Sequence, residues 1–156
     1  LGLDRCEKLI FGAAPMKKKT KRFFFSLNLP LINMYGLSET AGGSTYSEQN
    51  QLNLETSGIA YPGMQITIFN PEETGEGEIC IKGRSVFMGY YKDERGTQEV
   101  IGGDGSFHTG DRGLLDQENQ LSITGRIKEI IITAGGTNIS PIPIELKIKE
   151  TCPIIS

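Results

Sequence analysis

The sequence predicts an α/β chain in three successive pieces: a parallel α/β sheet subdomain, a small antiparallel β-barrel-like subdomain, and a strand-turn-helix unit of α+β type. Three observations carry this. Two short apolar runs flank an amphipathic stretch near the start, and an alternation of period two takes over after about Ser57. A strand-turn-helix pattern then follows a break at Gly125-Arg126. The boundaries expected are 1–57, 58–125 and 126–156.

Leu9-Ile10-Phe11 reads as a buried strand that ends at Gly12 and delivers the turn Gly12-Ala13-Ala14-Pro15. Met16 to Asn28 has a basic half and an apolar half. Met16, Phe23, Phe24 and Leu27 fall near helical spacing, which predicts an amphipathic helix. Leu31-Ile32-Asn33-Met34 is a second buried strand, and it delivers Tyr35. Strand, helix, strand in this order is a βαβ unit, which puts ligand groups at the carboxyl ends of parallel strands.

In the middle piece, Met64, Ile66 and Ile68 alternate with Gln65 and Thr67, and turn residues from Asn70 to Gly77 lead into Glu78-Ile79-Cys80-Ile81-Lys82. That is a β-hairpin. Further short strands are expected at Ser106 to Thr109, Gly113 to Leu115 and Leu121 to Thr124, with a helical turn around Asp93 to Val100. In the last piece Ile130-Ile131-Ile132 reads as a buried strand and Gly135-Gly136 as a hairpin turn. Ser140 is placed at the N-cap of a final helix with Pro141 at its first position.

At 156 residues the chain has room for one core or for pieces of two. Sixteen Lys+Arg against nineteen Asp+Glu leave a net charge of -3, which argues against nucleic acid as a partner. The 20 glycines exceed the usual ~7% and cluster at 36 to 43, 75 to 77, 102 to 105 and 135 to 136, as tight turns between short strands do. Cys6, Cys80 and Cys152 form no CxxC pair, so their spacing suggests neither a disulfide framework nor a zinc site, and a reducing compartment fits. No apolar run approaches the ~20 residues of a membrane-spanning helix.

The chemistry concentrates in three polar clusters, each at the end of an apolar run. Tyr35-Gly36-Leu37-Ser38-Glu39-Thr40 offers an aromatic face, a glycine that permits close backbone approach, hydroxyls and a carboxylate. Those are the parts of a nucleotide site: a ring to stack on a base, Ser38 to donate to a phosphate, and Glu39 as a hard oxygen ligand for phosphate-bound Mg²⁺. His108-Thr109-Gly110-Asp111 supplies a carboxylate able to accept two hydrogen bonds from a ribose diol. Gly125-Arg126-Ile127-Lys128-Glu129 adds a guanidinium for the same ligand.

In this order the three clusters resemble the adenylate-forming superfamily of acyl-CoA synthetases, luciferases and peptide-synthetase adenylation domains. The resemblance runs from Gly12-Ala13-Ala14-Pro15 to Pro141-Ile142-Pro143-Ile144-Glu145. Leu1-Gly2-Leu3-Asp4-Arg5-Cys6, Ala134-Gly135-Gly136-Thr137-Asn138 and Pro153-Ile154-Ile155-Ser156 are most similar to the bubblegum-type long-chain acyl-CoA synthetases. This implies an ATP-dependent long-chain or very-long-chain fatty acid:CoA ligase that forms an acyl-adenylate and passes the acyl group to CoA. Fatty acid, ATP, AMP, Mg²⁺ and CoA are then the small-molecule partners, with no obligate protein partner.

By the same resemblance Gly12, Ala13, Ala14 and Pro15 line the adenine, Tyr35 stacks near it beside Gly36, and Ser38 and Thr40 face the phosphates. Glu39 holds Mg²⁺, and Asp111 and Arg126 hold the ribose. Lys128 sits at the hinge of a C-terminal lid, and Gly135 and Gly136 lie near the pantetheine channel. The family's phosphate loop, its catalytic lysine and most of its acyl pocket are missing, so this chain is expected to be an internal segment, inactive alone. Two alternatives stay open: an adenylating enzyme for aryl, amino or short-chain acids, and a non-catalytic segment that binds nucleotide or a partner.

Three further features receive plainer readings. His108, the single histidine, is expected to pack or hydrogen-bond rather than act as a general base. Met16-Lys17-Lys18-Lys19-Thr20-Lys21-Arg22, followed by Phe23-Phe24-Phe25, could touch a membrane surface, but a solvated helix face backed by core phenylalanines is simpler. Glu72, Glu73 and Glu76 read as a charged hairpin tip. The location expected is cytoplasmic, with peripheral contact on the endoplasmic reticulum or another intracellular membrane left open.

Overall fold

A computed structural model describes residues 2–29, 31–47, 56–133, 135 and 138–152. Strand β1 (Leu9–Gly12) pairs in parallel with β2 (Leu31–Leu37), with Leu9 opposite Leu31 and Gly12 opposite Met34. Helix α1 (Lys18–Ser26) connects them, which completes the expected βαβ unit. The sheet is mixed, however. Strand β3 (Gly42–Tyr46) runs antiparallel on β2, and β4 (Ile59–Ala60) antiparallel on β3. Small and polar residues, Gly42-Gly43-Ser44-Thr45-Tyr46, hide β3 from a hydrophobic pattern. Gly36 makes its pairing feasible, since a Cβ there would overlap the Gly42 carbonyl. Strand β4 carries this sheet past residue 57, beyond the expected limit of the first piece.

Helix α1 is shorter than Met16 to Asn28; Lys18, Lys19 and Arg22 face solvent as expected, while Lys21 and Phe23 depart from the expected faces. Asn28 adopts φ +56° just past its end. Phe23 is exposed, Phe24 and Phe25 are half-buried, and the one buried side chain is Lys21, whose ammonium lies 5.1 Å from the Phe11 ring centroid. The phenylalanines therefore do not back a core. A cation held over an aromatic face tolerates burial that a lone ammonium would not.

The second sheet is an antiparallel meander in the order β5 (Met64–Phe69), β6 (Gly77–Gly83), β7 (Phe107–Leu115), β8 (Leu121–Arg126), open at its edges β5 and β8. Ile79, Ile81 and Leu121 are fully buried and pack with Tyr35 of the first sheet, so one core joins the two sheets. Burying each such aliphatic side chain contributes roughly 1.5–3 kcal/mol. The two strands expected across 106–115 form a single strand. Gly110 adopts φ +70°, and register shifts at Glu78/Cys80 and Arg112/Gly113 take up its polar residues as bulges. The glutamates of the hairpin tip do more than decorate it. Arg112, nearly buried, pairs with Glu72 at 2.6 Å and Glu76 at 3.2 Å. The expected helical turn is α2 (Glu94–Val100), and the Asp93 carboxylate caps it by accepting from the Gly96 N–H.

Strands β9 (Ile131–Ile132) and β10 (Asn138–Ile139) form an antiparallel hairpin around the Gly135 turn. Gly136 lies outside the described residues. Ile131 and Ile132 are 55% and 72% exposed, which corrects the buried-strand expectation: a two-residue ribbon has no face packed over it among the described residues. Ser140 and Pro141 start α3 (Pro141–Thr151) as expected, but the Ser140 hydroxyl donates to the Thr124 carbonyl at 2.7 Å instead of capping. Gly125 admits that contact, since a Cβ there would overlap the Ser140 hydroxyl. Helix α3 is thereby docked on β8. No described helix is long and apolar enough to cross a membrane.

Candidate functional site

A cleft of about 520 Å³ opens at the carboxyl ends of β1 and β2, where βαβ topology places ligands. Gly12, Ala13, Ala14, Pro15 and Lys21 form one wall, and Asn33 to Leu37 the floor. Asp111 and Ile123 to Arg126 come from the second sheet, and Ile142, Pro143, Leu146 and Lys147 from α3 close the far side. Residues from all three stretches of sequence thus meet in one cavity. Of the expected ligand groups it gathers Gly12 to Pro15, Tyr35, Gly36, Asp111 and Arg126.

Asp111 is 6% exposed and is held on three sides. The Tyr35 hydroxyl donates to its Oδ2 at 2.8 Å, Arg126 Nε lies 3.2 Å from its Oδ1, and its own N–H donates to the Thr109 hydroxyl at 3.0 Å. Thr109 in turn donates to the Ile79 carbonyl, and the Gly110 N–H donates to Glu78 Oε1. The carboxylate is therefore fixed in position by β6, β7, β8 and β2 together. Each of its oxygens keeps a lone pair for a ligand hydroxyl. Burial, then the neighbouring Asp111 charge, push the Tyr35 phenol well above its ordinary value, so it stays a neutral donor.

Two details favour a polar ligand here. Thr124 lines the cleft and leaves its buried hydroxyl without a partner among the described residues, which is costly unless something polar arrives. Lys21 and Lys147 bring positive charge to opposite walls, which suits an anion. Tyr35 lines the cleft, packs in the core that joins the two sheets, and reaches Asp111 through its hydroxyl.

The remaining expected residues lie off the cleft lining. Ser38 to Thr40 form a 3-10 turn just beyond Leu37. Ser38 is exposed, Glu39 half-buried and Thr40 buried. The Thr40 hydroxyl bonds inward to Leu37, Gly42 and Ser44, so it fixes the turn. Glu39 is braced from the connection between β6 and α2, with Oε1 accepting from the Tyr90 hydroxyl at 2.9 Å and its carbonyl accepting from the Phe87 N–H at 2.8 Å. Lys128 is exposed in the 3-10 turn Ile127–Glu129 between β8 and β9, and Gly135 is exposed in the hairpin turn.

Sequence reasoning missed Tyr90, Thr124 and the inward Lys21. Each acts through a contact made across the fold, with no local motif around it.

The AMP-binding enzyme family matches residues 2–91. Over all of this chain it is 49% identical to the long-chain-fatty-acid--CoA ligase ACSBG2 of Gallus gallus and 48% identical to ACSBG1 of Rattus norvegicus, covering 20% and 22% of those proteins. The chain therefore spans about a fifth of the length of these curated relatives. Among solved structures, ATP-bound MatB from Rhodopseudomonas palustris aligns with a TM-score of 0.81 at 31% identity, over 91% of this chain and 29% of that one. The o-succinylbenzoate CoA synthetase MenE from Bacillus subtilis, in complex with the acyl-adenylate intermediate OSB-AMP, aligns with a TM-score of 0.84 at 25% identity, over 92% of this chain and 31% of that one. With residues 2–91 of its 156 inside the family match, this chain belongs to the AMP-binding enzyme family, in an adenylate-forming fold.

Proposed function

We propose that the protein carrying this segment is an ATP-dependent long-chain fatty acid:CoA ligase, and that the cleft described above is where the segment meets the nucleotide. The observation that carries the reading is the buried Asp111 carboxylate, oriented by Tyr35 and Arg126 at the cleft floor with lone pairs free for a ribose diol. The names of the curated relatives support the substrate class, and the ATP and acyl-adenylate bound in solved neighbours support the chemistry.

In the first half-reaction the fatty acid carboxylate attacks the α-phosphate of ATP and expels pyrophosphate. In the second the CoA thiol attacks the acyl carbon and expels AMP. Both build charge on oxygen, so positioning and electrostatics dominate. Asp111 and Arg126 hold the ribose, Gly12 to Pro15 bound the adenine, and Ser38 faces the phosphates. Thr40 supports that role by fixing the turn. Glu39 fits a Mg²⁺ role: it is half-buried, oriented by Tyr90, and offers the one carboxylate that such an ion takes alongside phosphates. Mg²⁺, when bound, neutralises phosphate charge during transfer. Lys128 lies where a lid would pivot, and Gly135 and Gly136 belong to the pantetheine side. A cytoplasmic protein with peripheral membrane contact suits such a substrate.

The test supplies the intact protein with palmitate or a longer fatty acid, ATP, Mg²⁺ and CoA, and measures pyrophosphate and acyl-CoA. Formation of both supports the reading. Adenylation of aryl, amino or short-chain acids alone would move the assignment to another adenylating enzyme. No adenylation of any acid would leave a binding segment only.

A further inference from the structure

Away from the cleft, three side chains with metal-ligating atoms converge on one point of the second sheet. Strand register sets Cys80 of β6 opposite His108 of β7, and the bulge at Glu78/Cys80 turns the Glu78 carboxylate toward the same imidazole. His108 Nδ1 lies 2.9 Å from Glu78 Oε2 and 3.4 Å from Cys80 Sγ, and the three ligand atoms lie within 4.8 Å of one another.

The pattern of contacts decides what the cluster can be. A carboxylate-imidazole-thiol relay uses both ring nitrogens, one turned to the carboxylate and the other to the nucleophile. Here carboxylate and thiol share the same nitrogen. Nδ1 can serve one of them well as donor or acceptor, and the other is left with a poor bond. A cation reverses that arithmetic, since imidazole lone pair, thiolate and carboxylate then all point at one charge.

We propose that Glu78, Cys80 and His108 form a divalent-cation site of Zn²⁺ type, with one position open to water. The spacing suits it. Tetrahedral Zn²⁺ with Zn–N and Zn–O of ~2.0–2.1 Å and Zn–S of ~2.3 Å needs its ligand atoms about 3.3–3.5 Å apart. The 3.4 Å nitrogen-sulfur distance already matches, and the 2.9 Å nitrogen-oxygen distance must open slightly. Sulfur, nitrogen and a single carboxylate select a borderline ion over Mg²⁺ or Ca²⁺.

The surroundings are organised as a ligand set requires. Glu78 Oε1 accepts from the Gly110 N–H at 3.0 Å, which leaves Oε2 for the metal. The Phe69 ring packs edge-on against His108 at 4.9 Å between centroids and fixes its plane. The Cys80 side is closed, while His108 and Glu78 side chains are 23% and 19% exposed, so an ion enters past them. Glu78 and Cys80 share β6, but His108 follows them by 30 and 28 residues on β7, which is why no CxxC-type spacing announces the set.

The test uses the intact, untagged protein titrated with Zn²⁺ against a chromophoric chelator, and with Co²⁺ while recording its spectrum. One equivalent bound, with a thiolate-to-cobalt charge-transfer band, is the expected result. Cys80→Ser and His108→Gln should each weaken Zn²⁺ binding at least tenfold, and Glu78→Gln by less. A Cys6→Ser/Cys152→Ser double variant, which removes the two exposed thiols, should bind as the parent does. Absence of the charge-transfer band in the folded parent would overturn the site without recourse to any variant. Unchanged affinity in Cys80→Ser and His108→Gln would overturn it as well.

Discussion

At the scale of single residues, burial decides protonation and hydrogen bonds decide direction. Tyr35 shows both: desolvation holds its phenol neutral, and the bond to Asp111 aims it. Because the folded value lies above the ordinary 10.0, this group's contribution to stability is complete below that pH and is lost as pH rises through the higher folded value. The intact protein should therefore melt lower as pH climbs past about 10, and Tyr35→Phe should flatten that fall while costing about 1 kcal/mol near neutral pH. Thermal melts of both proteins across the alkaline range check this. Glu39→Gln keeps size and the Tyr90 contact but removes charge, so pyrophosphate release should drop at limiting Mg²⁺ with melting unchanged. Wild-type rates at limiting Mg²⁺ would remove Glu39 from the metal role.

At the scale of elements, the sequence displays what is periodic and hides what is relational. The βαβ unit, the hairpin of β5 and β6, the helical turn of α2 and the Pro141 start were legible, because alternation, helix-start residues and turn residues are local signals. Strand β3 was not, since its Gly and Ser residues carry no pattern and its pairing depends on Gly36. Nor was the orientation of α1, where Lys21 faces inward over Phe11 and Phe23 faces water. In the site, the clusters around Tyr35, Asp111 and Arg126 could be read from motif order. The bonds that connect them, and the Tyr90 brace on Glu39, required the fold. Gly36→Ala should separate β2 from β3 and cost roughly 1–3 kcal/mol, measured as a lower denaturation midpoint. Proline at Lys128 fixes φ in the exposed turn between β8 and β9 and should slow acyl transfer to CoA while acyl-adenylate still forms. Equal loss in both half-reactions, measured separately, would mean the turn is no hinge.

At the scale of the whole molecule, the argument turns on convergence. The first sheet brings Tyr35, the second brings Asp111 and Arg126, and α3, tied to β8 through Ser140 and Thr124, closes the cavity they share. No one of these stretches makes the proposed nucleotide site by itself. Asp111 is where they meet, so its carboxylate is the group whose loss distinguishes a ribose-binding floor from an ordinary structural ion pair. The measurement is kcat/KM for ATP in the intact protein and in its Asp111→Ala variant, at saturating fatty acid and CoA, with melting followed in parallel. A loss beyond tenfold, about 1.4 kcal/mol of transition-state stabilisation, in a variant that remains folded is the predicted result. Unchanged ATP kinetics in a folded Asp111→Ala protein would contradict it, and the cleft would then not be the nucleotide site.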